Sequence, residues 1–140
     1  MIVIYHNPNC GTSRNVLALI KACGEEPVAI EYLNEGWTRS QLLGLFAAAD
    51  LTPRTALRTS KSPAAELGLL DDGVSGEAIL NAMLMHPVLV NRPIVCSPLG
   101  TRLCRPSEAV LPLLKGRPNG AFYKEDGQIL VDENGNVVSG

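Results

Sequence analysis

No two cysteines in this chain are spaced C-x-x-C. The four present sit at positions 10, 23, 96 and 104. That excludes a zinc ribbon and an internal thioredoxin-type dithiol, and it leaves no cluster spaced as a metal site. No apolar run approaches the ~20 residues that span a bilayer. The opening MIVIYHNPNC has neither a basic leader nor a small-residue cleavage site, so it does not read as a signal peptide. The expected location is the cytoplasm, where unpaired thiols are the default. Charge of one sign is also lacking: 12 Lys and Arg against 14 Asp and Glu give a net charge of −2. A broad basic face for nucleic acid is therefore not expected, although a few clustered arginines can still bind a small anion. There is no internal repeat and no low-complexity tract.

What remains has the composition of an ordinary folded protein. A chain of 140 residues is one domain by size. Folding at this size buries about two-thirds of the accessible surface. Hydrophobic residues at 46% and charged residues at 19% exclude disorder or a coiled coil as a description of the whole.

The hydrophobic pattern alternates between strand and helix. Ile2 to Tyr5 is a short apolar strand, followed by turn formers from His6 to Thr12. From Ser13 the spacing of Val16, Leu17, Leu19 and Ile20 is helical, and Gly24 suits the C-terminal cap. Pro27 to Leu33 reads as a second strand, parallel to the first through a right-handed βαβ crossover. Thr38 and Gln41 match a capping box opening a helix over Arg39–Ala49. Thr52-Pro53 and Ser62-Pro63 predict two short helices, and Gly76 to Met85 a longer one ended by His86-Pro87. The stretch 38–86 is thus expected to be mostly helical. Val88–Val90 and Pro93–Cys96 are strand-like, and Pro98-Leu99-Gly100 turns the chain into Thr101–Cys104 as a hairpin. Ser107-Glu108 opens a last helix ending near Leu114. Residues 115–140 are less regular, with Asn134-Gly135 marking a small hairpin. The order βαβ, helices, ββα predicts an α/β fold, and a reactive-looking cysteine after the first strand points further to a thioredoxin-like mixed sheet carrying a helical insertion.

Cys10 follows a strand and opens a helix, within HNPNCGTSRN. Free N–H groups and partial positive charge at a helix start stabilise a thiolate and attract an oxyanion. Gly11 permits close approach of a bound group, Thr12 and Ser13 add hydroxyl donors, and Arg14 adds a cation. His6, if protonated, would lower the thiol pKa further. A structural cysteine beside a helix cap is the plain alternative, and it is the default for Cys23, Cys96 and Cys104. A phosphatase loop needs arginine six residues after the cysteine, but Arg14 is four residues on and position 16 is Val.

HNPNCGTSRN, ALRTS around Arg58, NRPIV around Arg92 and PLGTRLCRPSE around Arg105 together resemble the glutathione- and glutaredoxin-dependent arsenate reductases. The resemblance extends to about residue 125 and fades in the tail. It implies a thioredoxin-like fold with an inserted helical region, Cys10 as nucleophile, and Arg58, Arg92 and Arg105 as oxyanion ligands. It also implies that His6 helps hold Cys10 as thiolate and that Pro93 is the cis proline beside the nucleophile. Planar guanidinium groups suit such a substrate because they match its oxygens bidentately. Strand alternation puts Arg102 on the face opposite Arg105, so Arg105 is the anion ligand and Arg102 a solvent or ion-pair residue. By the same resemblance the substrate is arsenate, the co-substrate glutathione and the protein partner glutaredoxin, with no resident cofactor, metal, nucleic acid or membrane. Two rival readings share the fold: a regulatory or interaction protein of the Spx type, which often carries C-x-x-C where this chain has Cys-Gly-Thr-Ser, and a thiol transferase acting on glutathione adducts.

Overall fold

The computed structural model describes residues 1–138. At its centre is a four-stranded sheet in the order β2-β1-β3-β4. Strand β1 (Val3–His6) runs through helix α1 (Gly11–Ala22) into β2 (Val28–Glu31), and the two strands are parallel, as the βαβ pattern predicts. Strands β3 (Ile94–Ser97) and β4 (Gly100–Leu103) form the expected hairpin, with β3 antiparallel to β1.

Alternation along the two central strands builds a core on each face of the sheet. Ile4 and Val95 face one way, packing with Val16, Leu19 and Ile20 of α1 and with Val110, Leu111 and Leu113. Tyr5 and Ile94 face the other way, toward Leu42, Phe46, Ile79, Leu80, Met83 and Leu89. Burial on both faces is why these strands read as continuous apolar runs. Helices α3 (Arg39–Ala48) and α4 (Gly76–Met85) supply most of the second core and constitute the insertion. Thr38 caps α3 as predicted, its side chain accepting from Gln41 N–H at 3.1 Å while Gln41 Oε1 accepts from Thr38 N–H at 3.3 Å.

Several local expectations are corrected. Helix α1 begins at Gly11, two residues before the apolar periodicity does, because its first turn is polar. The second strand ends at Glu31, and Tyr32–Glu35 forms a single helical turn, α2. Thr52-Pro53 and Ser62-Pro63 open turns and not helices. After Ala56 N–H donates to Thr52 O the chain departs to pair Leu57 with Val90, leaving no length to propagate a helix. The turn after Pro63 ends at Gly68, whose φ of 73° is left-handed. Pro87–Leu89 is a 3-10 turn in place of the expected strand, and only Val90 keeps a bridge. The last helix is also 3-10, over Ser107–Leu113, because Pro112 within it offers no N–H to an α-helical ladder.

The tail is anchored. Strands β5 (Phe122–Tyr123) and β6 (Ile129–Val131) form a hairpin, and Leu130 and Val131 bury themselves in the α1 core. Asn134-Gly135 turns the chain back so that Val137 bridges Val131. Truncating a buried leucine typically costs ~2–5 kcal/mol. Leu130→Ala is therefore expected to lower the stability of the whole domain by that amount in urea denaturation, within one cooperative transition. Loss of only the tail signal in a separate early transition would contradict a shared core.

Candidate active site

Asn7-Pro8-Asn9 joins β1 to α1 and delivers Cys10 as the residue capping the helix. Cys10 N–H donates to Asn7 O at 3.1 Å, closing the loop, and Arg14 N–H donates to Cys10 O at 3.0 Å as the first helical bond. Ser13 Oγ ties the strand end to the helix: it accepts Asn7 N–H at 3.0 Å and lies 2.6 Å from His6 Nδ1. Asn7 Oδ1 in turn accepts Asn9 N–H at 2.9 Å. These bonds fix the thiol at the C-terminal end of the parallel strand pair, where α/β proteins generally place ligands.

Cys10 is only 6% exposed, and burial alone would raise its pKa. The Ser13 backbone N–H, the Arg92 charge and a bond from Arg105 outweigh that effect, so the thiol sits below its ordinary value. Arg105 Nη1 lies 3.6 Å from Sγ and also donates to Arg92 O at 3.2 Å. Arg92 Nη1 donates to Asn91 Oδ1 at 3.2 Å, while its buried Nε has no partner. Arg58 Nε donates to Ser60 O at 3.2 Å. Burial lowers the Arg58 pKa, and the Arg92 and Arg105 charges push the same way against the pull of Tyr32 and Cys10.

Backbone staples assemble these three arginines from separate segments. Arg58 N–H donates to Leu89 O and Asn91 N–H to Ala56 O, both at 2.8 Å, flanking the Leu57–Val90 bridge and locking the Arg58 loop to the Arg92 segment. Cys104 N–H donates to Pro93 O at 2.9 Å, which sets Arg105 across from Arg92. The Arg92-Pro93 peptide bond is cis; so is Arg105-Pro106, which the sequence reading did not anticipate. Arg105 bonds the thiol, the Arg92 charge acts on it and Arg58 stands in the field of both, which gives this region an excess positive charge suited to an oxyanion.

Other candidates stand elsewhere. His6 touches Ser13 and not the thiol, and burial lowers its pKa while Glu31 opposes and Arg14 and Lys21 assist. Burial thus disfavours a charged imidazole, and the contact of His6 with the Cys10 loop runs through the Ser13 hydroxyl. The Ser13 hydroxyl is thereby occupied within the protein, leaving the Ser13 backbone N–H as the group that faces the thiol. Arg14 turns away, with Nε 2.9 Å and 3.2 Å from the two Glu125 carboxylate oxygens and Nη1 donating to Pro8 O at 2.7 Å. Gly11 lies against that pair, and a Cβ there would meet Arg14 Nη2 at 3.7 Å, an ordinary contact. Thr12 and Gly11 line a cavity beside the helix start, together with Pro106, Glu108 and Lys124. Arg102 is exposed and donates to Ala109 O at 3.1 Å, away from the thiol. Sequence reasoning missed Glu125 and Asn15, whose Oδ1 accepts Glu125 N–H at 3.0 Å. No local signal links positions more than a hundred residues apart.

Among the described residues no three His, Cys, Asp or Glu side chains cluster as metal ligands, and no helix is long and apolar enough to cross a membrane.

A cysteine at the first helix start of a mixed β2-β1-β3-β4 sheet, reached through a parallel β1–α1–β2 unit, marks a thioredoxin-like protein. Within that class the arginines narrow the identity further. The model of the ArsC family matches residues 5–113, and the chain belongs to that family. It is 68% identical over 138 residues to the arsenate reductase ArsI2 of Synechocystis sp., covering 99% of each chain. It is 52% identical over 134 residues to an arsenate reductase of Escherichia coli K12, covering 96% of this chain and 95% of that one. Among solved structures, an arsenate reductase from Vibrio cholerae superposes with a TM-score of 0.76 at 38% identity, covering 81% of this chain and 97% of that one.

Alkylation by iodoacetamide follows the thiolate fraction. A lowered pKa moves the rate profile to lower pH, so Cys10 is expected to reach half-maximal rate below the ~8.5 of a free thiol. Arg92→Ala should move that midpoint up, and His6→Ala should move it less, since His6 does not reach Sγ. Cys104, its thiol pushed up to about 12 by burial, should stay unlabelled at neutral pH. Mass spectrometry of the labelled peptides reads all four outcomes.

Proposed function

We propose that this chain reduces arsenate to arsenite in the cytoplasm, with Cys10 as nucleophile and electrons supplied by glutathione and glutaredoxin. One observation carries the reading: Arg105 donates to Cys10 Sγ while Arg92 Nε stays buried and free and the Arg58 charge is disfavoured by burial and by its fellow cations. An oxyanion seated on the thiolate would satisfy all three at once. The names of the relatives point to the same substrate.

Arsenate approaches as an anion and is held by the guanidinium groups of Arg58, Arg92 and Arg105. The Cys10 thiolate attacks arsenic, an As–S bond forms, and a protonated oxygen leaves as water. The thiol of glutathione displaces a second oxygen as water and gives a Cys–As–glutathione adduct, with arsenic still at +5. A glutaredoxin thiolate then attacks the glutathione sulfur. The As–S electron pair returns to arsenic, which becomes +3, and the glutathione leaves as a mixed disulfide with glutaredoxin. Hydrolysis of the remaining As–S bond releases arsenite and restores the Cys10 thiolate.

The other cysteines support an external electron source. Cys23 lies at the far end of α1, ~20 Å from Cys10 at 1.5 Å per residue. Cys96 pairs with Val3, at the end of β1 away from the Cys10 loop. Cys104 is buried and held as a thiol. None is placed to resolve an adduct on Cys10. The two cores share one sheet, which supports reading the chain as one domain.

The test is arsenate-dependent NADPH oxidation coupled through glutathione, glutathione reductase and glutaredoxin. Cys10→Ser should abolish turnover, because an alcohol is a far weaker nucleophile than a thiolate. Removing one partner of a desolvated charge pair costs ~2–5 kcal/mol, so Arg58→Ala, Arg92→Ala and Arg105→Ala should each lose about 30-fold or more in kcat/KM. Lysine at these positions should recover part of the loss. Full turnover with thioredoxin in place of glutathione and glutaredoxin, or wild-type kinetics in the arginine variants, would contradict the mechanism.

A further inference from the structure

Two buried side-chain polar atoms among the described residues have no hydrogen-bond partner: Arg92 Nε and the hydroxyl of Tyr32. Buried polar groups are nearly always paired, because an unmade bond costs the full desolvation of the group. Two exceptions around one candidate site ask for a common explanation.

The fold places Tyr32 at that site. His6 and Glu31 are register partners at the ends of parallel strands β1 and β2. The next residue of each strand, Asn7 and Tyr32, therefore leaves the sheet at the edge where the Cys10 loop begins. Tyr32 is 1% exposed, and its ring is stacked on Trp37 with centroids 5.0 Å apart. Trp37 is itself tied down, its Nε1 donating to Pro87 O at 3.4 Å. The hydroxyl stands in the field of the site: burial raises its pKa most, Asn7, Arg92 and Arg58 oppose that, and the Cys10 charge adds to it. Asn7 is a neighbour and not a partner. It makes no hydrogen bond of acceptable geometry with the hydroxyl. The phenol thus remains an O–H donor at neutral pH, held rigid, with nothing in the protein to donate to.

We propose that Tyr32 is a fourth oxyanion ligand of this site, its O–H donating to an oxygen of the anion held by Arg58, Arg92 and Arg105, beside the free Nε of Arg92. The assignment rests on the proposed function for the identity of the anion. Chemically, a neutral donor suits this position because it adds a hydrogen bond without adding to the repulsion among three cations. The ring stacking meanwhile keeps the donor from turning away, so little ordering is needed when the anion arrives.

Tyr32→Phe removes the hydroxyl and keeps the ring. Because the hydroxyl has no partner in the free protein, the variant should unfold at the wild-type temperature or above it. Binding is read as protection of Cys10 from iodoacetamide by arsenate, which requires occupancy and not reduction. The arsenate concentration giving half-protection should rise about 10- to 100-fold, the loss expected for one hydrogen bond to a charged group. In the coupled assay kcat/KM should fall by a similar factor. Wild-type protection in Tyr32→Phe would overturn the assignment, and if the wild-type protein turns over arsenate it would leave the proposed function standing. A matching loss of thermal stability would also overturn it, since the hydroxyl would then serve the fold. Weakened protection in the variant, with no turnover by the wild type, would support Tyr32 as an anion ligand and overturn the proposed reaction.

Discussion

Mutual repulsion among Arg58, Arg92 and Arg105 is the constraint on which the rest of this structure depends. Like charges brought together in a partly desolvated setting oppose folding, and the Arg58 pKa is lowered first by burial and then by the Arg92 and Arg105 charges. The chain holds them together through backbone bonds that the arginine side chains do not make. The Leu57–Val90 bridge, with its two flanking bonds, fixes the Arg58 loop to the Arg92 segment, and the bond from Cys104 to Pro93 fixes Arg105 opposite. A sheet buried on both faces anchors these staples. The helical insertion contributes by packing Leu42, Phe46, Ile79, Leu80 and Met83 beneath the segments that carry Arg58 and Arg92.

Negative charge on Cys10 partly relieves this repulsion, and the Ser13 backbone N–H together with the Arg92 and Arg105 groups outweighs the burial that would raise the thiol pKa. Thiol and arginines thus stabilise each other's charged forms. His6 and Ser13 play a quieter part. They hold the loop between β1 and α1 in place, so that the first-turn N–H of Ser13 faces sulfur. Burial disfavours the charged form of His6, so this bracing works against adding a further cation near the site.

The fold was legible where periodicity was strong and burial two-sided. The β1–α1–β2 unit, the capped helix at Arg39, the helix at Gly76 and the β3–β4 hairpin all follow from local pattern. What failed were short proline-led segments, where a capping residue promised a helix but the chain was needed elsewhere after one turn. In the candidate site, Cys10 was legible from its strand-to-helix setting, and the three arginines only through motifs matched as a set. Tyr32 was invisible as a site residue because, in sequence, it is one more apolar residue of a presumed strand. Glu125 was invisible because an acidic residue in a turn is ordinarily solvated, and nothing nearby names Arg14 as its partner.

The attachment of that turn has a bearing on where this protein can be cut. The match to the family ends at 113, which invites a boundary there. Yet the hairpin beyond it places Leu130 and Val131 in the same core as α1, and reaches back to clamp Arg14 in the turn that follows Cys10. Arg14 in turn holds the Pro8 carbonyl of the loop leading into the nucleophile. A fragment ending at 113 would remove Leu130 and Val131 from the core that α1 shares and release the guanidinium that braces this loop. For recombinant fragments, fusions or inserted tags, the working unit therefore extends at least through Val137, the residue that closes the final bridge onto β6.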